Sequence, residues 1–148
     1  MSVLQYLAEL IGNMTPYSHA ESAYLKQAYR LSPSGDLAGE TPEDCLRLFR
    51  LHLKSVGQGD SGLCERSQHL RAVLLMESAC PASMPGLWVE RYFEEECLRL
   101  IRLLCGSDHS LHGLISVRHL ESAQGRAGNT MVLFRHEFEL HYLNGIGE

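Results

Sequence analysis

Apolar positions along this chain follow three rhythms, and each rhythm marks a different kind of element. Near the start, Val3, Leu4, Leu7, Leu10 and Ile11 recur at spacings of three and four, leaving Gln5 and Glu9 for water. That period predicts an amphipathic helix over 2–11. Gly12-Asn13 supplies its stop, because both residues tolerate a left-handed backbone. The helical period returns in "LWVERYFEEECLRLIRLLCG", where Phe93, Cys97, Leu100, Ile101 and Leu104 form a stripe and Gly106 ends the run. Glu95 and Arg99 stand one turn apart there, in the order that favours an ion pair.

The second rhythm has a period of two. In "TMVLFRHEFELHYL", Phe134, His136, Phe138, Leu140 and Tyr142 fall on one side and Arg135, Glu137, Glu139 and His141 on the other. A half-buried antiparallel strand produces this pattern, because successive side chains point to opposite faces. "LISVRHLESA" alternates as well, with Ile115, Val117 and His119 set against Ser116, Arg118 and Leu120. The turn "QGRAGN" makes the two a closing hairpin. The third rhythm is an unbroken apolar run, Ala72 to Met76, which suits a buried central strand.

Between these segments the signals are mixed. A short helix is predicted over about 20–29, with Glu21, Lys26 and Arg30 on its wet side, and 32–40 is a loop by composition. "TPEDCLRLFRLHLKSVGQG" has two readings. Thr41-Pro42-Glu43-Asp44 is a helix entry in its capping and dipole chemistry, with Leu46, Phe49, Leu53 and Val56 on one face. The rival is a strand with Phe49, Leu51 and Leu53 inward and Arg50, His52 and Lys54 outward. Capping chemistry favours the helix. Residues 57–68 form a glycine-rich polar loop, and "CPASMPG" breaks the chain again. Together these elements predict a single α+β domain over 1–148. It is an antiparallel sheet with a closing C-terminal hairpin, packed against an N-terminal helix and a central helix.

Composition narrows the chemistry. A chain of 148 residues buries roughly 70% of its unfolded surface. A net charge of −5 argues against bulk attraction to nucleic acid or anionic lipid. The start is too short and polar for a membrane span, and it lacks a basic leader. The odd set of five cysteines, with no CxxC pair, suits reduced thiols in a cytoplasm.

Several residue groups invite a catalytic or metal reading. Cys105, Asp108, His109, His112 and His119 are the densest set of metal-ligating types, yet their spacing fits no zinc motif, so a His-rich loop with no metal is expected. A Cys–His nucleophile needs only a cysteine and a histidine brought together. Cys45, Cys97 and Cys105 lie where packing accounts for them, and Cys64 in the polar loop is the least explained. Glu94, Glu95 and Glu96 read as acids at a helix start, placed by the dipole and by solvation. The pairs Arg47/Arg50 and Arg99/Arg102 are too dilute for a nucleic-acid stripe, and Trp88 reads as a core anchor. No phosphate-binding loop or nucleophile elbow is present. No enzyme, cofactor or catalytic residue is expected.

The order "VLQYLAELI", "HLRAVLLMES", "YFEEECLRLIRLLCG" and "LISVRHLES…NTMVLFRHEFELHYL" resembles the tail-terminator (tail-completion) proteins of tailed phages and phage-derived contractile particles. The resemblance lies in layout and in the closing strand. It implies a strand over 46–56, realised from Phe49 to Val56 and paired with 70–77, against the local helix signal. It implies a structural protein that caps a tail tube as a ring, with itself, the tube and the head connector as partners. It also implies a cytoplasmic protein that is later built into a virion or tail-like particle, with no membrane partner and no nucleic acid contact beyond a ring lumen. Arg135, Glu137, Glu139 and His141 are the interface candidates, because they carry both signs of charge on the outer side of the closing strand. A small acidic module that binds another protein, such as an immunity protein, an inhibitor or a secretion accessory factor, is the alternative.

Overall fold

The computed structural model describes residues 2–14, 29–32, 37, 48–58, 67–81, 86–106, 108–109, 113–127 and 131–145. The predicted helix over 20–29, the Thr41–Asp44 entry, Cys45, Cys64 and His112 lie outside these residues, apart from Tyr29 itself.

Helix α1 spans Val3–Gly12. Ser2 caps it through a reciprocal pair of bonds: its Oγ accepts from the Gln5 N–H at 3.1 Å, and its own N–H donates to Gln5 Oε1 at 3.0 Å. Strand β1 (Arg30–Leu31) lies parallel beside β2 (Leu48–Gln58). Strand β2 runs antiparallel to β3 (Ser67–Pro81), with Phe49 opposite Ser78 and Gln58 opposite Leu70. The strand reading of 49–56 therefore holds, although the local capping signal favours a helix. Five apolar residues between Leu48 and Val56 gain more from pairing with a buried central strand than from a solvated helix face.

Helix α2 (Gly86–Cys105) follows β3, and the hairpin of β4 (Leu114–Ala127) and β5 (Met131–Gly145) closes the chain. The strand order is β1-β2-β3-β5-β4, so β3 and β5 are central and the hairpin places β4 at an edge. The architecture is α+β, with a mostly antiparallel sheet. The turn is shorter than predicted, because Gln124–Ala127 continue β4 opposite Phe134–Met131. Gly106 meets the predicted stop of α2. A Cβ there would lie 2.6 Å from the Arg102 carbonyl oxygen, so any larger residue would force that turn apart. Gly113, with φ +79°, opens β4 in the left-handed region, and its carbonyl accepts from the Leu143 N–H at 2.8 Å.

Both helices cover the same face of the sheet. Leu7 and Ile11 of α1 and Leu100 and Leu104 of α2 pack on Phe49, Leu74, Met76, Phe138 and Leu140. A second cluster gathers Leu37, Cys80, Val89, Tyr92, Met131 and Phe134 around the first half of α2. The α2 stripe differs from the one read by spacing. Its buried members are Val89, Tyr92, Glu96, Leu100 and Leu104, while Phe93, Cys97 and Ile101 flank it half-buried. Neither helix lies on the opposite face.

Candidate functional site: a buried polar relay beneath an open groove

Glu96 corrects the sequence reading. Helix α2 starts at Gly86, so the run Glu94–Glu96 lies beyond the first turn, and no acid occupies that first turn. Glu96 sits between Tyr92 and Leu100 on the buried stripe and is wholly inaccessible to solvent. A carboxylate in that position must be paired and hydrogen-bonded, since an isolated buried charge is far too costly. It is supplied with both. Ser78 donates its hydroxyl proton to Oε1 at 2.9 Å, and His136 Nε2–H donates to Oε2 at 3.0 Å.

His136 is equally inaccessible and stacks against Phe93, with centroids 5.8 Å apart and the planes at 20°. Its Nδ1 lies 2.7 Å from Ser122 Oγ and 3.8 Å from Cys97 Sγ. Ser122 Oγ in turn lies 2.8 Å from His119 Nε2. Burial is the largest influence on His136 and opposes its charge, but the bonds to Cys97 and Glu96 and their negative charge outweigh it, and its pKa is pushed up to about 9. Burial and the neighbouring His136 charge push His119 the other way, below the ordinary imidazole value. One directed chain satisfies every member: Ser78 to Glu96, His136 to Glu96 and to Ser122, and Ser122 to neutral His119.

Two irregularities of β4 assemble this chain. The register slips between Leu114 and Ser116 and between His119 and Glu121, so Ile115 and Leu120 are bulge residues. The second bulge places His119 and Ser122, three residues apart, on the helix-covered face, opposite Phe138 and His136. Strict alternation would have separated them. Signals for the site were nonetheless present. Glu96 lies four residues from both Tyr92 and Leu100, and His136 sits among the apolar members of the closing strand.

Above the relay a groove of about 520 Å³ runs between α2 and β4, lined by Leu87, Phe93, Cys97, Leu98, His119 and Ser122 among others. Cys97 and Ser122 thus have one side toward His136 and another toward this opening.

The metal-ligand set of the sequence is dispersed. His109 is buried at the end of α2. Its Nδ1 accepts from the Tyr6 hydroxyl at 2.5 Å, and its Nε2–H donates to the Leu104 carbonyl at 3.1 Å, so both ring nitrogens are engaged in tying α1 to α2. His119 belongs to the relay. Among the described residues no group of three or more His, Cys, Asp or Glu side chains could hold a metal ion.

The four interface candidates lie on the helix-free face, each bonded within the sheet. Arg135 Nε pairs with Glu77 at 3.3 Å, and Glu77, itself buried, also accepts from Arg50 at 2.8 Å. Glu137 accepts from Lys54 at 2.8 Å and Glu139 from Arg118 at 3.3 Å. His141 Nε2 lies 3.3 Å from His69 Nδ1. Glu77 serves two arginines, so that cluster keeps a net positive charge. Glu95 is bonded to Arg91, one turn before it, at 3.4 Å. Among the described residues no helix is long and apolar enough to cross a membrane. No protein-family model matches the chain, and a search of curated proteins finds no match.

Proposed function

We propose that this protein is a structural assembly protein that closes into a ring and caps the tail tube of a phage or phage-like particle. The observation that carries this reading is the pair of unlike edges on one sheet. On one side, among the described residues, β1 shields only the start of β2, and Leu31 (52% exposed) and Val56 (53% exposed) mark that edge. A cleft of about 650 Å³ adjoins it, lined by Leu4, Ala8, Leu31 and Leu51 among others. On the other side, β4 exposes its bulge residues Ile115 (48%) and Leu120 (40%).

Two different apolar edges on one subunit suit a head-to-tail contact, the kind that generates rings when the rotation closes. The bulges interrupt the β4 edge, which favours side-chain insertion into the cleft over a continued backbone ladder. The layout supports the same reading, since 48–58 is a strand paired with β3 as the tail-terminator resemblance requires. The helix-free face carries the ion pairs of Glu77, Glu137 and Glu139, and the ring can turn it toward tube or connector.

Native mass over a concentration series, with negative-stain images of the largest species, tests the proposal. A closed ring that binds tube ends is the expected result. A chain that stays monomeric at high concentration ends this reading in favour of a protein-binding module.

A further inference from the structure

The groove between α2 and β4 has no part in the assembly reading, yet it holds the best-equipped thiol among the described residues. Cys80 is fully buried, and burial pushes its thiol up to about 12. Burial also raises Cys105, against which a backbone hydrogen bond from His119 works. Cys97 differs in three ways. It is half-buried, it lines the groove, and its sulfur lies 3.8 Å from a buried imidazolium that Glu96 holds in place. A neighbouring cation stabilises a thiolate, which is the nucleophilic form. Leu87, Phe93 and Leu98 give the groove an apolar stretch at least partly exposed to an incoming chain, and Glu90, Arg91 and Glu94 add charge along its α2 side.

We propose that Cys97 is a nucleophilic thiol, positioned by the His136–Glu96 pair, that accepts an acyl group from a thioester bound in this groove. In the reactive form the Cys97 thiolate stands beside the His136 imidazolium. Sγ attacks the carbonyl carbon and a new C–S bond forms. The old C–S bond breaks, and its electron pair leaves with the departing sulfur, which takes the Nδ1 proton of His136. The thiolate–imidazolium pair and the thioester become an acylated Cys97, a neutral imidazole and a free thiol. Atoms and charge balance, and no oxidant or reductant takes part. The apolar stretch selects thioesters whose acyl chain is a hydrocarbon. Glu96 is a positioning residue, because it acts through His136. Ser122 competes with Cys97 for the same Nδ1 proton, at 2.7 Å against 3.8 Å.

The test uses the full chain carrying Cys45→Ser and Cys64→Ser, S-phenyl thiohexanoate as the probe, and peptide mapping to read each remaining cysteine separately. At neutral pH, Cys97 is expected to acylate roughly tenfold or more faster than Cys80 or Cys105. Ser122→Ala, which frees Nδ1–H for the sulfur, should raise the Cys97 rate, and S-phenyl thioacetate should react more slowly there than the hexanoyl probe. Glu96→Gln, with its fold checked by circular dichroism, should slow acylation of Cys97 while leaving Cys80 and Cys105 unchanged. If that variant does not fold, the comparison of the three cysteines in the parent decides alone. Acylation of Cys97 no faster than of Cys80 and Cys105, or an unchanged Cys97 rate in a folded Glu96→Gln variant, overturns the proposal.

Discussion

His136 binds its proton more tightly in the folded protein than in the unfolded chain, and that single fact sets the pH response of the core. Stability from a raised pKa is fully present below the unfolded value of 6.5 and is lost as pH rises through about 9, for a total of about 3 kcal/mol. His119 acts in the opposite sense: its neutral form is favoured, so stability declines as pH drops below the ordinary imidazole range. Melting temperature followed across pH should therefore peak between these limits, and a flat alkaline side would contradict the assigned His136 pairing. Glu96→Gln leaves His136 without its carboxylate in a dry site. It should cost ~3–5 kcal/mol in a urea titration and abolish the alkaline decline as well. A loss of under about 1 kcal/mol would mean that the pair is solvated in solution.

Elements show where local preference yields and where it governs. The stops of α1 at Gly12-Asn13 and of α2 at Gly106 were legible from residue type, and Ser2 and Gln5 add a local cap that the spacing did not reveal. Strand β2 was not settled by its own residues, because its periodicity fits helix and strand alike and a long-range partner, β3, decides. Strand β4 was read correctly as a strand, with Val117 and His119 on one face and Ser116 and Arg118 on the other; only Ile115 and Leu120 depart, because a bulge changes parity without any signature in composition. Ser122→Ala removes the hydroxyl that the bulge sets between His136 and His119 and should cost ~1–3 kcal/mol through the buried groups it leaves unsatisfied. An unchanged denaturation midpoint would show that these bonds are immaterial. The contact of α1 with the end of α2 is lighter. Tyr6→Phe removes one hydrogen bond to His109 and should cost ~0.5–1.5 kcal/mol, with hydrogen exchange rising in α1 before the sheet. Uniform exchange across the chain would count against α1 as a separately held element.

At the scale of the whole molecule, α1 and α2 close one sheet face, and the ring proposed above would be built from the sheet edges. Under that proposal Ile115→Asp and Leu31→Asp, placed on opposite edges, should each convert rings to monomers while leaving the melting temperature within a few degrees, as surface changes do. Rings that survive both substitutions would relocate the contact. The helices, the closing hairpin, the central strand and the α+β class were determined by the sequence alone, because periodicity reports which side of an element faces the core. Tertiary structure alone decided that 48–58 is a strand, that Glu96 is buried, and that it meets Ser78 and His136, with Ser122 on the other nitrogen of His136. Those outcomes depend on residues brought together from α2, β3, β4 and β5 and on a one-residue register slip, and neither long-range pairing nor register leaves a local trace in the pattern of side chains.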